Sequence, residues 1–411
     1  MKIEGNIIKI RSVSINNNVV NYDYSIPKAL SNCFSKDLDF FYQYPENFDL
    51  RTVPKSILYI PLVVNVLPLA WIMHVDIEVP VLDKAFAECI ENIKNGFKRV
   101  YPNIDFYANL KVGEITENTC MQSDKVTCMF TGGVDAWATL LRILDKKPVL
   151  INIFGADIKL EDTVNLGEAD KEISNIANFL GLQYYHITSS IRQFISESGI
   201  RSTTGDVLKD TWWHGAQHSI GMLSLLAPFA YLNNINTCYI ASSFTKKAEG
   251  KVNCVSYPFI DDMLKFGSTS CKQDAYELTR QEKISLIAES FEKNKKYFQI
   301  KACFSPINGA NCCKCEKCMR TIMAIKAVNG NPADYGFNVS NETYCEIKGY
   351  LDSHILYHTE HWNNIKKAFQ KNKKLFQADK NVNWILNYTF NNPKIYISLA
   401  INKIKRILKG M

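Results

Sequence analysis

The sequence has no uninterrupted apolar run long enough to span a membrane. Its most apolar stretch, Ile57 to Met73, contains Pro61, Pro68 and a central Asn65. Each proline removes a helical hydrogen bond, and a span needs about 20 apolar residues. That stretch is expected to form a buried strand, a turn and the start of a helix. Repeats and low-complexity tracts are also lacking. Met1 to Asn6 lacks the charged-then-apolar pattern of a secretory leader, so a cytoplasmic, reducing setting is expected. There, clustered cysteines bind metal rather than pair. Charge is only mildly one-sided, at +7 over 411 residues. That excess fits an anionic small ligand and falls short of the footprint of a duplex-binding protein.

What is present is ordinary for a packed chain: 46% apolar and 22% charged residues. Residues 1–120 read as an N-terminal α+β domain. Asn6 to Ser14 alternates like a strand, and Asp83 to Tyr101 has helical spacing. No catalytic motif falls in this region, whose plainest role is to pack beside the next domain.

From Lys125 strands and helices alternate, which predicts a doubly wound α/β domain with a parallel sheet over 121–328. The expected strands are Val126 to Phe130, Pro148 to Phe154, Tyr184 to Thr188 and Cys238 to Ala241. Helices are expected through Leu144, from Leu166 to Leu180, and as one long element from His214 to Tyr231. Residues 329–411 read as a helical C-terminal region. Its last segment, Ile397 to Leu408, is amphipathic and fits a membrane surface or docking on its own domain.

Two short segments carry the chemistry. The first is Phe130-Thr131-Gly132-Gly133-Val134-Asp135-Ala136, between a buried strand and a helix. A glycine pair there lets the backbone turn sharply and presents N–H groups at a helix N-terminus, where an anion is favoured. Thr131 adds a hydroxyl donor, and Asp135 can cap the loop or help hold a phosphate-bound magnesium. A tight turn without a ligand is the plainer alternative. A Walker loop is excluded, because no Gly-Lys-Ser/Thr follows.

This loop resembles the PP-loop of the N-type ATP pyrophosphatases, Ser-Gly-Gly-x-Asp-Ser, at Thr131, Gly132, Gly133 and Asp135. Thr131 and Ala136 stand where the pattern has serines. The resemblance implies a HUP-like fold that holds ATP and magnesium at Thr131, Gly132, Gly133, Val134 and Asp135. It further implies transfer of AMP to a substrate oxygen with release of pyrophosphate, with Phe154 and Gly155 seating the adenine at the end of the second strand.

The second segment is Cys303-x8-Cys312-x2-Cys315-x2-Cys318, with Cys313 as an extra thiol. Short two-residue spacers bring thiolates to one point, as tetrahedral zinc requires, and all four positions would be protein. An iron–sulfur cluster is the rival. The spacing resembles that of the 7-cyano-7-deazaguanine synthases, and both motifs occur in that family's order over roughly 124–328. That implies a structural Zn2+ in a zinc-binding subdomain (segment 303–318) and an ATP-dependent ligase that joins a carboxylate to a nitrogen nucleophile. The extra residues at both ends point to a diverged relative.

Further candidates are His214, which opens the long helix and is placed to meet the substrate or a phosphate as a catalytic residue, and Ser242 with Ser243, which end the fourth strand where open sheets bind ligands. His214 serves equally well as a capping or packing histidine, and the serines as turn residues. Asp274, Arg280 and Lys283 read as an exposed charged helix, though Arg280 and Arg320 could neutralise phosphate. His354, His358 and His361 have helical spacing but no carboxylate partner. Expected partners are ATP, a small-molecule substrate, a second copy of the chain and a membrane surface for the C-terminal helix, with no stable nucleic acid. Alternatives are a nucleotide-binding scaffold without catalysis, a tRNA-modifying PP-loop enzyme, and a zinc-ribbon RNA-binding protein.

Overall fold

The computed structural model describes residues 2–3, 6–119, 121–303, 306–356, 359–391, 393 and 395. The amphipathic segment Ile397 to Leu408 and His358 lie outside the described residues. The chain divides into two compact units. One comprises Met1–Thr131 and Thr139–Glu277, and the other Gly132–Ala138 and Leu278–Met411. The boundary expected near residue 120 therefore falls inside the first unit, and that expected near residue 328 inside the second.

Twelve strands, counted among the described residues, form one sheet in the first unit. They are β1 (Lys2–Ile3), β2 (Ile7–Asn16), β3 (Val19–Ile26), β4 (Phe41–Gln43), β5 (Asp76–Asp83), β6 (Leu110–Thr116), β7 (Val126–Met129), β8 (Val149–Phe154), β9 (Tyr184–Ser189), β10 (Thr237–Ala241), β11 (Lys265–Phe266) and β12 (Thr269–Asp274). The order β9-β8-β7-β10-β12 is parallel throughout. In chain rank it reads 3-2-1-4-5, the doubly wound order, with its switch point between β7 and β10. The α/β class and the four expected strands are as the sequence predicts. The fifth, β12, was not foreseen, because Thr-Ser-Cys-Lys-Gln-Asp has little β character.

The N-terminal region does not form a separate layer. β4 pairs antiparallel with β9, Tyr42 opposite Ser189, and carries β3, β2, β5 and β6 outward as an extension of the same sheet. The core of this unit contains Tyr24, Tyr42, Phe86 and Trp71, all nearly inaccessible.

Two local expectations are corrected. Ile60–Met73 is one buried helix, not a strand and a turn. Pro61 sits in its first turn, where a missing N–H costs nothing, and Pro68 is accommodated inside it. Asn65 is satisfied there, donating to Pro61 O at 2.8 Å and accepting from Gln217 Nε2 at 2.8 Å. Among the described residues no helix is long and apolar enough to cross a membrane. The single helix expected from His214 to Tyr231 is three pieces: a π-helical turn at Trp213–Gln217, then His218–Ser224, then Ala227–Asn233. Pro228, in the first turn of the last piece, has no N–H to continue the preceding one.

The second unit is helical, with Arg280–Asn294, Glu316–Ala327, Asn341–Ser353 and Thr359–Lys371 as its main elements. The cysteine segment lies among these helices rather than with the parallel sheet. His354 closes one helix and His361 lies on the next, so the two do not share a helical face.

Candidate functional site

Three pieces of the second unit meet around Asp135. The first is the glycine loop. Gly132 has φ +76°, a left-handed conformation that glycine adopts freely, and its carbonyl accepts from the backbone N–H of Lys301 at 2.9 Å. Gly133 O accepts from Trp137 N at 2.9 Å, which closes the first turn of the helix Val134–Arg142. Val134 is buried, so only its backbone could face a ligand. Trp137 anchors this turn, its ring 5.0 Å from Phe291 and 5.2 Å from Phe298.

The second piece is the start of the helix Arg280–Asn294. Thr279 and Glu282 form a reciprocal capping box, the Thr-x-x-Glu pattern that marks a helix start. Arg280 and Lys283, three residues apart, then share one face. Arg280 Nη1 donates to Asp135 Oδ2 at 2.9 Å, and Lys283 Nζ to Oδ1 at 2.9 Å. Neither cation is the exposed surface charge that the sequence suggested. The Lys283 side chain is 1% exposed and that of Arg280 14%. Asp274, read with them from sequence, instead ends β12 and pairs with Arg142 at 2.9 Å in the first unit.

The third piece is the helix Glu316–Ala327, which starts directly after Cys315. Arg320 lies one turn along it, buried, with Nη1 3.5 Å from Glu316 Oε2. Its Nε has no hydrogen-bond partner among the described residues. Glu316 is held from the other side by Trp362 Nε1 at 3.0 Å.

The electrostatics follow from this crowding. Burial by itself would raise the Asp135 carboxyl, but Lys283 and Arg280, helped by Lys317, bring it down to about 2. Burial, then the neighbouring Arg280, lowers the Arg320 guanidinium to about 10 against the pull of Glu316 and Asp135. Four cations (Arg280, Lys283, Lys317, Arg320) thus meet two carboxylates (Asp135, Glu316) and the Cys315 thiol, which also pulls on Arg320, a small positive excess in a partly buried place. Such an excess favours an anion. Arg280, Lys283 and Arg320 were visible as candidates in the sequence. Lys301 and Lys317 were not, although each lies within two residues of a cysteine of the cluster.

Beside this charge cluster the sulfurs of Cys303, Cys312, Cys315 and Cys318 lie within 4.8 Å of one another. Cys312 Sγ and Cys318 Sγ are 4.0 Å apart. Four thiolates around one zinc at about 2.3 Å would have neighbours separated by about 3.8 Å, so the group could hold a metal ion such as zinc. Asn311 fixes the two arms: its Oδ1 accepts from Ala302 N and Cys303 N at 3.0 and 3.2 Å, and its Nδ2 donates to Ile300 O at 2.8 Å. The N–H groups of Lys314 and Cys315 point at Cys312 Sγ, at 3.4 and 3.3 Å. Burial pushes the Cys312 thiol up, but those N–H groups and the neighbouring thiols of Cys303 and Cys315 bring it to about 7. Cys313, at φ +58°, is turned to Asn311 O at 3.6 Å and stays outside the group.

The other sequence candidates belong to the first unit. Thr131 is exposed where the chain leaves β7. Ser242 is buried at the end of β10 and donates its hydroxyl to Phe244 O at 2.6 Å, while Ser243 is exposed. Phe154 stacks on His186 at 4.3 Å with the planes 4° apart. Gly155 has φ +94°, and a Cβ there would lie 2.0 Å from Ser189 O, so close packing by itself accounts for this glycine. His214 is paired through Nδ1 with Asp210 Oδ2 at 2.6 Å. No family model, curated protein or solved structure matches the chain.

Proposed function

We propose that the chain is an ATP-dependent ligase of the PP-loop kind, forming AMP and pyrophosphate, similar to the 7-cyano-7-deazaguanine synthases and their diverged relatives. The observation that carries this reading is the positive excess around Asp135, in the first turn of the helix Val134–Arg142 that follows the glycine turn after the first strand, in chain order, of a 3-2-1-4-5 sheet. In this reading a substrate carboxylate oxygen attacks the α-phosphorus of ATP. The bond to the β-phosphate oxygen breaks, and pyrophosphate leaves. A nitrogen nucleophile then attacks the acyl carbon and expels AMP, giving an amide. Loop N–H groups, Arg280, Lys283 and Arg320 would stabilise the charge that builds on the departing pyrophosphate, an electrostatic rather than a covalent contribution.

Asp135 takes a different part from the one its sequence position suggested. Both of its oxygens already accept from cations. Its role is therefore to hold Arg280 and Lys283 in place, and the fit to a magnesium ligand is poor. Magnesium would enter with the ATP phosphates. The tetra-cysteine group would hold a structural zinc, because four protein thiolates leave no open coordination position.

ATP–pyrophosphate exchange, assayed over a panel of carboxylic acids, tests the reading. Exchange that depends on one acid supports it. The second reading, a nucleotide-binding scaffold, is favoured by Ala136, which stands buried where the PP-loop pattern has serine. Binding of ATP with no exchange under any acid would establish that reading instead.

A further inference from the structure

The second unit is strongly basic. It holds 22 Lys and Arg against 11 Asp and Glu, a net +11, whereas the whole chain is +7 and the first unit therefore −4. The excess gathers at the end. From residue 361 onward there are eleven Lys and Arg and one acid, Asp379, which is already paired with Lys326 at 3.3 Å.

The fold turns part of this charge outward. The helix Thr359–Lys371 buries Trp362, Ile365 and Phe369, and the short helix Lys373–Phe376 buries Phe376, whose ring lies 4.7 Å from that of Phe369. With those rings inward, Lys367, Lys371, Lys373 and Lys374 are exposed, and so is Lys380 beyond them. Lys367 and Lys371, four residues apart, share one helix face. Among the described residues none of these five lysines is in an ion pair. Next to Lys374 stands Leu375, which is 58% exposed. Apolar residues also recur at helical spacing among basic ones in the sequence that follows, Ile397, Ile401, Ile404 and Leu408 with Lys403, Lys405, Arg406 and Lys409.

We propose that this lysine face docks on a bilayer surface that carries anionic lipid headgroups, with Leu375 entering the interface. Lysines alone would suit any polyanion. The exposed leucine beside them and the apolar spacing further on suit a bilayer, whose headgroups take the charge and whose acyl boundary takes apolar side chains. The inference goes beyond the ligase reading and does not need it.

The test is co-sedimentation of the full chain with vesicles of phosphatidylcholine alone and of phosphatidylcholine mixed with phosphatidylglycerol, without nucleotide. The expected result is binding to the mixed vesicles, little to the neutral ones, and a loss of binding as salt is raised. Lys373→Gln and Lys374→Gln should each weaken it by about fivefold, the contribution of one lysine near an anionic surface. Leu375→Gln, which leaves the charge unchanged, should weaken it by about tenfold. No binding to the mixed vesicles, equal binding to both kinds, or undiminished affinity in the folded lysine variants would overturn the proposal. Tighter binding to polyuridylate than to the mixed vesicles, indifferent to Leu375→Gln, would also overturn it and assign the face to nucleic acid. Because nucleotide is absent, failure here leaves the exchange assay untouched, and failure there leaves this result standing.

Discussion

The Nζ of Lys283 lies 2.9 Å from Oδ1 of Asp135, in a place where only 1% of the lysine side chain reaches solvent. A buried ammonium is costly unless it is paired, so the two residues depend on one another, and Arg280 depends on the same carboxylate.

Removing that carboxylate should be severe. Asp135→Asn would leave two buried cations without their shared partner, and a destabilisation of about 3–5 kcal/mol is expected. Chemical denaturation of the two proteins measures it. Restoring stability by the second change Lys283→Met would show that stranded charge, not lost volume, is the cause.

The same pair predicts an acid response. The Asp135 carboxyl is lowered from its ordinary 3.8 to about 2. A group lowered on folding stabilises above its unfolded value and loses that contribution as the pH falls through its folded value. About 2 kcal/mol should therefore be present above pH ~4 and be lost towards pH ~2. Denaturation midpoints across that range should fall more steeply for the natural chain than for Asp135→Asn.

Arg320 should separate stability from anion binding. Burial and the neighbouring Arg280 disfavour its charge more than its pair with Glu316 favours it, so Arg320→Met should leave stability unchanged or raise it. If the cluster receives pyrophosphate, the same variant should bind pyrophosphate about tenfold more weakly by calorimetry. Equal affinity would remove Arg320 from the proposed site.

The cysteines differ sharply in their expected behaviour. Elemental analysis should find one zinc per chain. Cys315→Ser should lose the metal, whereas Cys313→Ser should keep it, because Cys313 stands outside the sulfur group. Iron in place of zinc, or retention of metal by Cys315→Ser, would overturn the assignment.

Two left-handed glycines offer a packing control. At Gly181, φ +64° with open space around it, alanine should cost about 1–2 kcal/mol from backbone strain alone. At Gly155 a methyl group would also collide with Ser189 O, so Gly155→Ala should cost at least twice as much. Thermal melting of both variants decides it. A nucleotide-binding role for Gly155 would add a change in ATP affinity that packing does not require.

Where chemistry depends on residues close in the chain, the sequence was enough. Two-residue spacers bring Cys312, Cys315 and Cys318 together, since three residues cover less than one helical turn, and the strand–glycine–helix order places Gly132 ahead of a helix start. The same local reading foresaw four parallel strands from their apolar runs. It failed where the outcome depends on a distant partner. β12 is a strand because β10 offers it a ladder, and Ile60–Met73 is a helix despite Pro68 because it is buried almost along its whole length. The N-terminal strands join the parallel sheet through β4 and β9, a pairing across about 145 residues that no window of sequence reveals. Asp135 is the sharpest case. Its place after the glycines was plain, but a carboxylate alone in sequence looks like a magnesium ligand. Only the fold brings Arg280 and Lys283, about 145 residues away, onto its two oxygens, and their charges make it an anchor for cations.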